Sequence, residues 1–213
     1  GIFGAIPGNG ATIAQTLTTV NSAQGTVVYS ITPTFNGCSG VPITVPIIVN
    51  PTPEVFGSAA ATICSGESPN IALFPSIAAT TFAWTVNTIN VIGAQPGTGV
   101  VINDILTASP NLGTAVYTVT PTANGCSGTP LNITVTVNPA PSTPTISTGG
   151  ATTLCTGGSV TLTSSSATGN QWYVGGVLIG GATSQNYSAT ATGNYTVVVT
   201  TSGCSSVASN ATS

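Results

Sequence analysis

The chain has 213 residues, no Lys, Arg or His, three acidic residues and a net charge of −3. With no cation to neutralise phosphate, binding to nucleic acid is excluded, and so is electrostatic docking on an anionic bilayer. At 41% hydrophobic and 1% charged, the composition is the reverse of a disordered segment, so the chain folds and takes its polar surface from Thr, Ser, Asn and backbone.

Residues 1–50 read as the second half of a repeat. PGNGATIAQTLT from Pro7 aligns with PGTGVVINDILT from Pro96, and VVYSITPTFNGCSGVPITVPIIVNP (Val27 to Pro51) matches AVYTVTPTANGCSGTPLNITVTVNP (Ala115 to Pro139). The middle repeat carries a cysteine and a tryptophan upstream of Pro96 that have no counterpart before Pro7, so the first unit is expected to enter the sequence half built. Asn50-Pro51-Thr52-Pro53 forms the first boundary, because two prolines can continue neither a ladder nor a helix.

The middle repeat, 51–138, predicts strands at Ala60–Cys64, Asn70–Phe74, Thr81–Val86, Val100–Leu106, Ala115–Thr120 and Leu131–Asn138. The turn clusters SGES, PGTG, SPNLG and NGCSG separate them. Apolar and hydroxyl residues alternate at period two in Ile133-Thr134-Val135-Thr136-Val137, the pattern of a half-buried strand, and β-branched residues dominate, as pleated surfaces favour. After the Pro-rich linker Asn138 to Pro144, the third repeat, 139–213, predicts strands near Thr145–Thr148, Ser159–Thr163, Gln171–Val174, Val177–Ile179, Gln185–Ser188 and Asn194–Thr200. Its NYTVVVTTSGCSS is a thinner copy of the earlier blocks, and Gly175-Gly176 signals a two-residue hairpin with a primed turn. The last strand is expected to be cut short at Ser213. Short strands at regular spacing predict an all-β fold of tandem immunoglobulin-like antiparallel β-sandwiches joined by proline linkers. No apolar run approaches the roughly 18 residues of a membrane helix, and no signal peptide is visible.

Five cysteines fall in repeating places. Cys64 and Cys155 stand near the starts of repeats two and three; Cys38, Cys126 and Cys204 each follow a tyrosine by nine residues. The expected pairing is Cys64–Cys126 and Cys155–Cys204 within domains, with Cys38 bonded to a cysteine upstream of the chain. Free thiols, or a Cys38–Cys64 bond across the first linker, are the alternatives. In the chain-entropy model, closing such loops stabilises each domain by roughly 4 kcal/mol, and disulfides of this kind persist outside the cytoplasm. No metal or cofactor site is expected, since CxxC pairs and histidines are absent.

Trp84, Trp172, Tyr29, Tyr117 and Tyr195 recur at equivalent places, as core residues do; ligand stacking is the alternative. Catalysis has little to work with. There is no His or Lys to act as acid or base and nothing to activate a Ser or Thr nucleophile. Glu54, Glu67 and Asp104 are expected to be solvated surface residues, and the chain is not expected to be an enzyme. Sequons at Asn132, Asn186, Asn194 and Asn210 are weak signals in so Asn- and Thr-rich a chain.

The blocks YTVTPTANGCSGTPLNITVTVNPAP and YSITPTFNGCSGVPITVPIIVNPTP resemble the PKD-like repeat of very large surface proteins from Bacteroidetes. ATTLCTGGSVTLTSSSATGNQWYVGG and GNYTVVVTTSGCSS resemble the bacterial immunoglobulin-like domain found beside it. The resemblance implies export by the type IX secretion route and service in extracellular adhesins, gliding fibres or filaments. Two functions follow: a stalk or filament segment, or an adhesive module that contacts glycan or a partner surface through loops or exposed aromatics. The implied partners are other repeats of the same chain, neighbouring copies in a filament or bundle, and a surface glycan or a host, prey or substratum ligand; separately, incomplete first and last sandwiches are open to completion by strands from neighbouring copies. Membrane insertion is not among them.

Overall fold

A computed structural model of the chain describes every residue except Asn21, Ser109 and Leu154. The described residues form strands, turns and connections with no helix. Of the predicted SPNLG turn, Ser109 lies outside the described residues.

The second repeat is built on the strand Gly113–Ala123, which pairs with Thr81–Ile89 on one side and Leu131–Asn138 on the other, both antiparallel. Period-two alternation puts Ala115, Tyr117, Val119, Ile133, Val135 and Val137 on one face, and all are fully buried. Thr118, Thr134 and Thr136 occupy the other, half-buried face. Phe82 and Trp84 extend the buried face, and Ile71, Leu73, Ile102 and Leu106 cover it. The covering layer is made of short pieces: Val55–Phe56 pairs with Phe74–Pro75, and Ile71–Ala72 with Val101–Ile102. The continuous strands predicted at 70–74 and 100–106 are therefore broken. Asn70 and Gly99 lie at positive φ, and Asp104 leaves the ladder to reach Tyr117.

One pairing departs from an antiparallel sandwich. Ala60–Cys64 lies parallel to Leu131–Asn138, in the register Thr134↔Ala60 through Asn138↔Cys64. A parallel pair requires a long crossover, here the whole repeat between Cys64 and Leu131. Its effect is to bring the first cysteine of the repeat level with its last strand residue, at the end where the chain leaves for the next repeat.

The third repeat has two sheets. Val160–Ser164 pairs with Ile146–Thr148 and Asn186–Ala189; Asn170–Val174 pairs with Val177–Leu178 and Tyr195–Thr201. Trp172 is fully buried between them, its ring 5.9 Å from that of Tyr187, which in turn lies 5.7 Å from Tyr195. Gly175 and Gly176 both have positive φ (56° and 79°), as a primed hairpin turn demands.

The first repeat is a hairpin of Gly25–Ile31 with Ile43–Val49, and a short pair, Ile2–Phe3 with Thr18–Thr19. Val45 and Ile47, in the places of Ile133 and Val135, are 36% and 38% exposed. Among the described residues no second layer covers the apolar face of this hairpin.

Packing of the second repeat gives a direct test. Ile133→Ala is expected to destabilise it by about 2–5 kcal/mol, the cost of a cavity in a well-packed site, seen as an earlier urea midpoint in tryptophan fluorescence. Thr134→Ala, one residue along on the outer face, is expected to change stability by under about 0.5 kcal/mol.

Candidate functional site: the junctions between repeats

Three hairpins of the same form carry three of the cysteines. Asn36-Gly37, Asn124-Gly125 and Ser202-Gly203 each take positive φ at both residues (48° and 81°, 49° and 78°, 51° and 81°), the type I′ turn that Asn-Gly favours. Each turn is closed by a residue pair: Phe35↔Cys38, Ala123↔Cys126 and Thr201↔Cys204. In the second repeat this hairpin lies at the entry pole, where the linker arrives; a Cβ on Gly128 would collide with the Pro53 carbonyl.

The other two cysteines share a different turn. The Cys64 carbonyl accepts from Glu67 N–H (3.1 Å) and the Cys155 carbonyl from Gly158 N–H (2.9 Å), with Gly66 and Gly157 at positive φ. The Glu67 carboxylate also accepts from Cys64 N–H at 3.0 Å. By the parallel register, Cys64 sits beside Asn138 at the exit pole of repeat two.

Entry turn and exit turn meet at the junctions. Asn138 Nδ2 donates to the Ser202 carbonyl (3.2 Å), and Asn50 Nδ2 donates to the Asn124 carbonyl (3.1 Å). The asparagine that ends one repeat thus grips the same atom of the next repeat's turn at both junctions. At the second junction the contact is covalent: Cys64 and Cys204 form a disulfide with Cα atoms 5.5 Å apart, across 140 residues of chain.

This corrects the intradomain pairing expected from spacing. Cys64 and Cys126 lie at opposite ends of the eleven-residue strand Gly113–Ala123. At about 3.3 Å per residue that is roughly 30 Å, where a disulfide needs Cα atoms within about 7 Å. Cys155 likewise stands near Tyr195 and Thr212, at the far end of the strand Tyr195–Thr201 from Cys204. The Cys38–Cys64 alternative also fails, because Cys64 is taken by Cys204. Cys38, Cys126 and Cys155 are free thiols; Cys38 and Cys155 are exposed and Cys126 is half-buried.

The five aromatics lie inside their repeats. Trp84 and Tyr117 belong to the core of repeat two, and Trp172 and Tyr195 to that of repeat three. Tyr29 is only half-buried, as the uncovered hairpin allows. Each indole N–H finds a carbonyl: Trp84 that of Gln95 (3.2 Å) and Trp172 that of Ser184 (2.9 Å). The three tyrosine O–H groups also find acceptors. Tyr195 donates to the Ala191 carbonyl (2.8 Å), Tyr117 to Asp104 Oδ2 (2.7 Å) and Tyr29 to Gln15 Oε1 (2.9 Å).

Asp104 and Gln15 occupy matching places, and each also accepts from a backbone N–H, of Gln95 and Ile6 respectively. Asp104 is therefore a half-buried structural acceptor rather than the solvated residue expected; Glu67 is exposed but tied to Cys64 N–H, and Glu54 is exposed. Burial, and then the hydrogen bond to Asp104 and its negative charge, hold the Tyr117 phenol well above the usual tyrosine range. Among the described residues no three of His, Cys, Asp and Glu lie close enough to hold a metal ion.

Consecutive sandwiches with proline-bearing linkers make this an array of immunoglobulin-like domains. The chain belongs to the PKD-like domain family, whose model matches residues 2–53 and 61–141. No curated protein matches it in sequence. Among solved structures it is similar to domains A168–A170 of titin at 12% identity and TM-score 0.35, over 92% of this chain and 94% of that one. A Bacteroides ovatus mixed-linkage glucan utilization locus protein, SGBP-B, in complex with a heptasaccharide, matches at 18% identity and TM-score 0.29, over 76% and 47%. A mouse coronavirus receptor-binding domain complexed with its murine receptor matches at 15% and 0.37, over 74% and 97%.

Two measurements check this site. Mapping disulfides in pepsin digests (trypsin has no cleavage site) is expected to join Cys64 to Cys204 and to leave Cys126 alkylatable; a Cys64–Cys126 peptide would overturn the junction. Tyr117→Phe is expected to cost about 1–2 kcal/mol by stripping Asp104 of a donor. The contribution of Tyr117 to stability should be constant below about pH 10, the ordinary tyrosine value, and fall above it, because the unfolded chain releases a proton that the folded one retains. Denaturant titrations across pH should show that slope reduced in Tyr117→Phe.

Proposed function

We propose that the chain is a stretch of a long extracellular stalk or filament, composed of domains at 1–50, 51–138 and 139–213, with the whole protein exported to the surface as the type IX substrates of Bacteroidetes are. The observation that carries this reading is the junction. A disulfide and an asparagine clamp fix one sandwich on the next, which suits a part whose task is to hold length and direction. The disulfide also favours an oxidising location, and near-zero charge leaves neighbouring fibres without mutual repulsion. The interior placement of Trp84, Trp172, Tyr117 and Tyr195 removes them from any role in gripping a ligand.

One observation favours the second reading, an adhesive module for glycan or protein. Phe56 and Phe74 stand directly opposite each other on paired strands and are both more than half exposed, which makes a small apolar platform on repeat two. Electron microscopy of the native particle separates the two. The stalk reading expects these domains repeating along a fibre axis; a compact monomer, with glycan binding abolished by Phe56→Ala plus Phe74→Ala, would replace it with the adhesive one.

A further inference from the structure

The two junctions share an asparagine clamp and a turn of the same form. Asn50 grips the turn carbonyl of Asn124 as Asn138 grips that of Ser202, and Cys126 holds the place in its hairpin that Cys204 holds in its own. At the second junction the preceding repeat also supplies an exit-pole cysteine, Cys64. At the far end of the third repeat, Cys155 repeats the turn of Cys64, with its carbonyl bonded three residues ahead and a glycine at positive φ. It lines a cavity of about 400 Å³ with Tyr195, Thr212 and Ser213. Asn36-Gly37-Cys38 meanwhile presents an entry turn of the right form with an exposed thiol.

We propose that the Cys64–Cys204 bond is one instance of a cross-link made at every junction, in which the exit-pole cysteine of a repeat bonds the turn cysteine of the next. Cys155 is then a docking and modification site for the Asn-Gly-Cys turn of a further repeat. Cys38 and Cys126 are the receiving halves of two more such bonds. The register is directional: exit cysteines join turn cysteines, never each other. The inference holds whether the array spaces or binds.

Bond formation needs a two-electron oxidant, and a small-molecule disulfide such as oxidised glutathione supplies it. The Cys155 thiolate attacks one glutathione sulfur and expels a glutathione thiolate. A turn-cysteine thiolate then attacks the Cys155 sulfur and expels the second. Two protein thiols lose their protons, one disulfide forms, and one oxidised glutathione becomes two reduced molecules.

The chain can serve as its own probe, because one copy offers Cys155 and another offers Cys38. Incubated with a glutathione redox couple, it is expected to give a ladder of covalent multimers on non-reducing gels, with Cys155–Cys38 as the dominant new peptide and Cys126 still alkylatable beside Asn50. Cys155→Ser and Cys38→Ser should each reduce the multimer at least tenfold, with unchanged tryptophan fluorescence showing that the fold is intact. Failure to form multimers would overturn the proposal. So would dominance of Cys155–Cys155 or Cys38–Cys38, or capture of Cys155 by Cys126 as readily as by Cys38.

Discussion

The parallel register of Ala60–Cys64 along Leu131–Asn138 is the constraint on which the junctions rest. Strands alternate direction elsewhere in the second repeat, and an antiparallel first strand in the same slot would have carried Cys64 to the entry pole. Running parallel, it delivers the cysteine beside Asn138, so that one edge of one sheet supplies both a thiol and an amide to the next repeat. The crossover that makes this possible is the body of the repeat itself. The loop-closure cost of parallel pairing is thus met by residues that are needed anyway for the core.

A chain with almost no ions must fix its geometry by other means. Here the work falls to φ angles and hydroxyls. Three primed turns, each with a glycine at its second position, place three cysteines identically. Tyr117, Tyr29 and Tyr195 find acceptors in three chemically different ways, from a carboxylate, an amide and a backbone carbonyl. The exchange of Asp104 for Gln15 shows that the fold needs an acceptor at that place rather than a charge.

Much of this was legible in the residues. The strands Ala60–Cys64 and Leu131–Asn138 end where the pattern says they end, because period-two alternation and β-branching mark a strand with one buried face. The glycine pair at 175 and 176 announced its own turn. The covering layer was less legible, since strands of two residues are too short to show a period. The disulfide was not legible at all by spacing. Matching places in successive repeats gave Cys64 and Cys126 equal standing as intradomain partners, and only strand direction decides between that and a neighbour. One sign was present in the letters: a VNP ending recurs at both linkers as faithfully as the NGC or SGC turn, and two motifs repeating in step are what a repeated contact requires. Asn50 and Asn138, whose amides carry no catalytic or metal-binding signature, are the side chains that make it.

The placement of the Cys64–Cys204 bond has a mechanical meaning. When the two ends of the chain are pulled apart, load enters through residues before Cys64, crosses the sulfur bridge and leaves through residues after Cys204. The 140-residue span between them forms a closed loop lying off the load path. Paid out, that loop would add roughly 450 Å of slack at about 3.3 Å per residue, which the bridge withholds while it stays oxidised. The cores of two domains can then breathe, or open altogether, without lengthening the strand that carries the force. Reduction would turn the same segment from a short rigid link into an extensible one.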